Sequence, residues 1–300
     1  MKLAAIDIGS NAARLLITEV QKDEKGIESF NKLNLVRVPL RLGFDVFEYG
    51  NISKEKTSMM MQTMKAFKHL LNAYEVKHVI ACATSAMRDA KNASDIIRKI
   101  KLETDISIEV ISGDREADFI YENHIAENLD KDHSYLYIDV GGGSTELSFF
   151  SNGILNYKES FNIGTIRLLK EMVTDTEWEL MKEIVKSFTK GHKEVVAIGS
   201  GGNINKVFSM SKRKDGKPLS FDLIKDYYKE LSNVSVEDRI SKYDLRADRA
   251  DVIVPALQIY SNVMRWSGAL EIYVPKIGLA DGLIHHLWEE LKRPVDLILK

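Results

Sequence analysis

The sequence is poor in the features that would tie it to an oxidising compartment, a membrane or a polyanion. One cysteine, Cys82, occurs in 300 residues, so no intramolecular disulfide can form and a reducing compartment is implied. Cys82 lies in the apolar run Val79-Ile80-Ala81-Cys82-Ala83 and reads as a small buried hydrophobe, not a nucleophile. Lys and Arg number 42 against 44 Asp and Glu, for a formal net charge of -2. No bulk field therefore draws the chain to nucleic acid, and any anion site must be local. No run approaches the roughly 20 apolar residues that span a bilayer. Met1-Lys2-Leu3-Ala4-Ala5-Ile6-Asp7 reads at once as a strand, without a charged leader, an apolar stretch or a small-residue cleavage site. A cytoplasmic protein is expected, with neither nucleic acid nor membrane as partner and a homodimer as the default assembly.

What is present is alternation. The first forty residues predict three strands, at 3–7, 13–20 and 27–38, with Lys22-Asp23-Glu24-Lys25-Gly26 as the polar turn of an antiparallel meander. Ser53 is placed as the N-cap of a helix over 55–74, and a buried strand follows at 78–83. A helix at 96–102, a strand at 106–111 and a helix over 115–129 complete a first half. The meander then recurs with strands at 135–140, 146–150 and 154–161. Thr174-Asp175-Thr176-Glu177 is a capping box opening a helix that ends near Lys190, and 195–198 is the next buried strand. Helices over 220–231 and 247–266, a strand at 272–274 and a closing helix over 281–291 finish the chain. Duplication of one α/β unit is the simplest account. The division is expected between 128 and 129, giving domains 1–128 and 129–300, with the closing helix able to pack back on the first. No low-complexity linker separates the halves, so they are expected to pack closely around a cleft.

Both halves open on an Asp-led turn. In Asp7-Ile8-Gly9-Ser10-Asn11 a carboxylate ends a buried strand, and small residues then expose backbone N–H groups and the Ser10 and Asn11 side chains to an anion. Asp139-Val140-Gly141-Gly142-Gly143-Ser144-Thr145-Glu146 does so more fully, with three successive residues lacking side chains. One glycine turn is commonly just a hairpin; two Asp-led copies opening two halves point to phosphate. Two strand-end carboxylates beside phosphate would repel it without a hard cation between them, so Asp7 and Asp139 imply Mg²⁺, and Glu146 stands as a third acidic contact or a plain strand residue. Arg88, in Ala83-Thr84-Ser85-Ala86-Met87-Arg88-Asp89, is a phosphate-clamp candidate whose bland alternative is an ion pair with Asp89. Glu116 follows Ser112-Gly113-Asp114-Arg115 in the first turn of a helix. There it either complements the helix dipole or orients and deprotonates an attacking water. Gly201 and Gly202, in Ile198-Gly199-Ser200-Gly201-Gly202-Asn203, form a third strand-end turn suited to a distal phosphate, with Arg167 and Lys206 as nearby positive charge. The run Lys212-Arg213-Lys214 with Lys217 reads as a solvated loop ahead of a polyanion contact. His285 and His286 are adjacent on a helix and face apart, which excludes joint metal ligation. Met59, Met60, Met61 and Met64 read as core filling.

These motifs, in this order, resemble the superfamily of sugar kinases, actin and the Hsp70 ATPase domain, and most closely the exopolyphosphatase/guanosine pentaphosphate phosphohydrolase (Ppx/GppA) family, over essentially the whole chain. The resemblance rests on Asp7-Ile-Gly-Ser-Asn with Arg14, Ala83-Thr-Ser-Ala with Arg88, Ile111-Ser-Gly with Glu116-Ala117, and Asp139-Val-Gly-Gly-Gly-Ser-Thr-Glu146. Gly278-Leu-Ala-Asp-Gly282 and Arg249-Ala-Asp251 also look like the family's C-terminal segments. It implies a duplicated RNase H-like fold, Mg²⁺ dependence, and removal of terminal phosphate from linear polyphosphate or guanosine pentaphosphate. By position, Glu116 carries over as the residue activating water, Asp139 and Glu146 as acidic metal-site residues, and Gly141, Gly142, Gly143, Ser144 and Thr145 as the phosphate loop. Asp7, Arg88, Asn11 and Arg14 carry over as neighbours of metal and phosphate. Ala12 stands where many relatives carry serine, and Asn203 where they often carry threonine. The enzymatic alternative is an ATP-dependent phosphotransferase of the same fold; the non-enzymatic one is a nucleotide- or phosphate-sensing module.

Overall fold

A computed structural model describes residues 1–121, 133–192 and 194–293. Their contacts resolve two compact units.

The first begins with β1 (Lys2–Ile8), β2 (Ala13–Lys22) and β3 (Glu28–Val38), followed by α1 (Leu42–Tyr49), α2 (Lys54–Ala73), β4 (His78–Ala83), α3 (Ser85–Asp89), α4 (Ala93–Thr104) and the two-residue β5 (Glu109–Val110). The meander is as expected. The strand anticipated over 106–111 shrinks to β5, since only Cys82 and Ala83 of β4 offer it parallel partners. Strand order is β3-β2-β1-β4-β5, with β1 antiparallel to β2 and parallel to β4. β1, between β2 and β4, is almost uniformly apolar and buried, the pattern of a strand whose two faces are both covered by packed elements. Ser53 caps α2, its side chain accepting from the Lys56 N–H. Met60 and Met64 fill the core, whereas Met59 is 41% exposed.

Helix α5 (Gly113–Tyr121) follows, and the remainder of the helix expected to 129, with the boundary at 128/129, lies outside the described residues. By their contacts Gly113–Ala117 belong to the second unit.

That unit continues with β6 (Ser134–Val140), β7 (Thr145–Ser151), β8 (Ile154–Phe161), α6 (Thr165–Leu169), α7 (Asp175–Thr189), β9 (Val195–Ser200), α8 (Gly202–Met210), β10 (Leu219–Ser220), α9 (Phe221–Ser232), α10 (Val236–Tyr243), α11 (Ala247–Ala250), α12 (Ile253–Ser267) and β11 (Glu271–Tyr273). Its strand order is β10-β11-β9-β6-β7-β8. Read from β8 inward, the first five strands repeat the first sheet's sequence of meander, central strand and two parallel neighbours, so the chain is a duplicated RNase H-like fold. The capping box is present, Thr174 Oγ1 accepting from the Glu177 N–H while the Thr174 N–H donates to Glu177. The helix expected over 247–266 is broken into α11 and α12. Pro255 inside a continuous helix would lack an N–H and clash with the carbonyl of Asp251; the break places it in a first turn, where no donor is needed.

The closing helix α13 (Leu279–Lys292) belongs to the first unit. Leu283 and Ile284, at 0% and 2% exposure, join a core with Leu3, Leu16 and Cys82. Cys82 is therefore a buried hydrophobe. Among the described residues no helix is long and apolar enough to cross a membrane.

Candidate functional site

The two meanders hold their turns in the same way. Gly9 N–H donates to the Ala12 carbonyl at 3.0 Å, and Gly141 N–H to that of Ser144 at 2.9 Å. In the first turn the carbonyls of Ser10 and Asn11 accept from Gly43 and Arg41, at the start of α1. In the second, Gly141 O accepts from Thr165 N, Gly142 O from Ile166 N, and Gly143 O from Arg167 Nε at 2.8 Å. Helices α1 and α6 thus spend their first amides pinning turn carbonyls. The N–H groups of Gly142 and Gly143 have no acceptor among the described residues, although Gly143 is buried. Buried amides are ordinarily paired, so this turn is poised for an oxygen ligand. Gly164 lets α6 come this close: a Cβ there would lie 2.4 Å from Gly143 C and 2.5 Å from Gly142 O.

The hairpins differ in charge. Pairing register sets Asp7 opposite Arg14 in the first and Asp139 opposite Glu146 in the second. Asp7 is 3% exposed and meets Arg14 Nη1 at 2.6 Å, so its charge is neutralised within its own hairpin. In the second unit two carboxylates face each other across strands, an arrangement that favours a cation. Glu146, 2% exposed, accepts from Ser160 Oγ at 2.8 Å. Glycine 201, at φ +111, would carry a Cβ 3.2 Å from Asp139 Oδ1, placing the third glycine turn directly against that carboxylate. Tyr260, buried beneath, donates to the Ser200 carbonyl. Burial first, and then the neighbouring Asp139 charge, hold its hydroxyl well above the usual tyrosine range, so it stays a neutral donor. Gly202 lies against the Arg249 guanidinium, with Nη1 2.8 Å from where a Cβ would be.

Glu116, 9% exposed, sits in the first turn of α5. That turn packs on β8: a Cβ on Gly113 would fall 2.4 Å from Ser160 Cβ and Oγ, the residue that holds Glu146. Glu159, beside Ser160, is raised above its usual pKa by burial and then by the charge of Asp114. Glu116, Asp139, Glu146 and the glycine turn therefore belong to one unit, linked through β8.

Across residues 20–290 the sequence matches the model of the Ppx/GppA phosphatase family. The chain belongs to that family. Among relatives of this Ppx/GppA member is the bifunctional 3-dehydroquinate synthase/phosphatase of Fusobacterium nucleatum, 31% identical over 249 residues, which are 80% of this chain and 35% of that one. The chain thus spans about a third of that relative's length. Exopolyphosphatase 1 of Mycobacterium tuberculosis is 22% identical over 95% of this chain and 87% of its own. Among solved structures, an exopolyphosphatase from Cytophaga hutchinsonii superposes with a TM-score of 0.83 at 25% identity, covering 97% of this chain and 98% of that one. The Aquifex aeolicus Ppx/GppA family member gives 0.77 at 25%, covering 98% and 99%.

Several side chains expected to meet phosphate are used internally in this Ppx/GppA protein. Ser10 Oγ is 2.7 Å from Ser85 Oγ and accepts from the Ala86 N–H, tying the first turn to α3. Thr145 Oγ1 donates to the Ile163 carbonyl at 2.5 Å. Arg88 Nη1 donates to the Ile111 carbonyl at 2.6 Å, bracing the segment between β5 and α5. Asn11 is half-buried and Ser144 is 2% exposed. Among the described residues no three His, Cys, Asp or Glu side chains group to hold a metal ion. The Asp139 and Glu146 pair still suits magnesium, which binds one or two carboxylates and takes its other oxygens from water and phosphate. Ser160 and Tyr260 were missed, and nothing in sequence marks them. Arg249 was visible only within Arg249-Ala-Asp251. His285 and His286 lie against different rings, Phe30 in a tilted contact and Phe119 edge-on.

Proposed function

We propose that this chain is a magnesium-dependent phosphoanhydride hydrolase that releases terminal phosphate from linear polyphosphate or from guanosine pentaphosphate. The observation that carries the reading is the 141–144 turn, whose carbonyls are pinned by α6 while Gly142 and Gly143 keep N–H groups without an acceptor among the described residues. Beside it stand two facing carboxylates. Membership of a phosphatase family and likeness to exopolyphosphatases of Cytophaga hutchinsonii and Mycobacterium tuberculosis support it.

Gly142 and Gly143 would bind oxygens of the terminal phosphoryl group, and Arg249 and the 199–202 turn those behind it. Asp139 and Glu146 would hold a magnesium ion, which supplies charge neutralisation on the phosphate oxygens. Glu116 would orient a water and take its proton as the water oxygen bonds to phosphorus and the bridging P–O bond breaks toward the remaining phosphate chain. Positioning and preorganised donors do most of this work. In the first unit the Asp7–Arg14 pair holds its own hairpin.

Glu116→Gln keeps the shape and removes the base. Phosphate release from tripolyphosphate should fall at least 100-fold, in line with the usual worth of a general base, while equilibrium binding stays within about twofold. Undiminished turnover would refute the assignment.

A further inference from the structure

The loop after α8 carries Lys212, Arg213, Lys214 and Lys217, all exposed. None of the four makes a side-chain ion pair or hydrogen bond among the described residues. The one acid within the loop, Asp215, is taken by Lys276 at 2.5 Å. Four uncompensated cations in six residues contrast with a chain whose charges otherwise nearly cancel.

Their place in the fold gives them a direction. Helix α8 starts at the third glycine turn, where Gly202 meets Arg249, and ends at this loop. Its nine residues span about 13 Å at 1.5 Å each. Gly202, Lys206 and Ser209 recur at helical spacing on one face, which continues toward Arg213. Lys206 is half-buried, its ammonium donating to the Asp244 carbonyl. Basic residues therefore stand at the start of α8, where Arg249 meets Gly202, midway along it at Lys206, and beyond its end at residues 212–217.

We infer that residues 212–217 form a second anchoring subsite for a linear polyanion, holding distal phosphates of a polyphosphate chain whose end is bound at the 141–144 turn. This rests on the proposed hydrolase activity and extends it to chain-length preference. A tripolyphosphate is too short to travel the length of α8, whereas a long chain reaches the loop. Spaced ammonium and guanidinium groups fit a repeating phosphate without regard to sequence, and their attraction weakens with salt. The competing role for these cations is to complement the C-terminal dipole of α8.

The triple variant Lys212→Gln/Arg213→Gln/Lys214→Gln in the full chain separates the roles. Expected results are a KM for long-chain polyphosphate about tenfold higher, matching the lower range of electrostatic capture, with tripolyphosphate kinetics and Tm unchanged and a shallower salt dependence. Equilibrium binding of long-chain polyphosphate, measured with EDTA so that no turnover occurs, should weaken by the same factor. Unchanged long-chain binding overturns the inference, as does an equal loss on both substrates. A fall in Tm without weaker binding assigns the cations to the helix dipole. Equal loss of single-stranded RNA binding in the variant, from a parent that binds RNA as tightly as polyphosphate, overturns the assignment of ligand. If the parent protein releases no phosphate at all, the hydrolase reading fails, and the binding arm still decides the subsite.

Discussion

Gly164→Ala tests the glycine turn with one methyl group. At φ -137 the Gly164 backbone suits alanine, so any effect comes from contact, not conformation. The added Cβ would lie 2.4 Å from Gly143 C, 2.5 Å from Gly142 O and 2.6 Å from Gly142 C. Carbon atoms rest at about 3.5 Å or more, so α6 and the turn must part by about 1 Å. All three atoms are backbone, and no side chain can swing aside. Overpacking of this kind costs about 1–3 kcal/mol, which lowers Tm by about 2–12 °C in a domain of this size. The larger effect falls on activity, because moving a binding group by about 1 Å can cost about 100-fold in rate. Thermal denaturation and kcat/KM on tripolyphosphate should be measured below the variant's transition. A kcat/KM within threefold of the parent would show that the 141–144 turn does not hold the reacting phosphate.

Glu28 receives the Trp288 indole N–H at 2.7 Å, with Lys292 at 3.1 Å and Lys22 at 3.1 Å, fastening α13 to β3. The Trp288 hydrogen bond first, then the two ammonium groups, lower its carboxyl from 4.5 to about 2. A depressed carboxylate stabilises the fold above its unfolded pKa, and that contribution disappears as pH falls from 4.5 to about 2. Glu28→Gln should cost about 1 kcal/mol at neutral pH after solvent screening, a difference in denaturant midpoint that closes toward pH 2. Thr174→Ala removes the capping box of α7 and should cost about 1 kcal/mol, lowering Tm by about 2–4 °C with unchanged kcat on tripolyphosphate.

The strands and Asp-led turns were legible because a central strand covered on both faces is an apolar run, and a following Asp and glycine break it sharply. The duplication followed from two such breaks. Short helices were less visible. Neither α1, entered through Arg41 in a left-handed conformation, nor the five-residue α3 and α6 presents two turns of periodic apolar residues. Pro255 was visible, yet its consequence needed the register of Asp251. The chemistry divided along similar lines. Glu116, Asp139, Glu146 and the glycines were singled out by residue type and by their place after strands or at the start of a helix. The internal uses of the Ser10 and Thr145 hydroxyls depend on partners 75 and 18 residues away, which no local pattern encodes. The charge difference between hairpins was readable in principle: a four-residue turn sets Asp7 opposite Arg14 and Asp139 opposite Glu146. That register leaves two facing carboxylates in the second hairpin and an acid–base pair in the first.

The most direct test is phosphate release from tripolyphosphate by the purified chain, with magnesium and with EDTA, beside long-chain polyphosphate and guanosine pentaphosphate under identical conditions. The account predicts magnesium-dependent orthophosphate from at least one of the three, abolished by Asp139→Asn. No release from any of them under magnesium, from protein that is folded by its thermal transition, would contradict it.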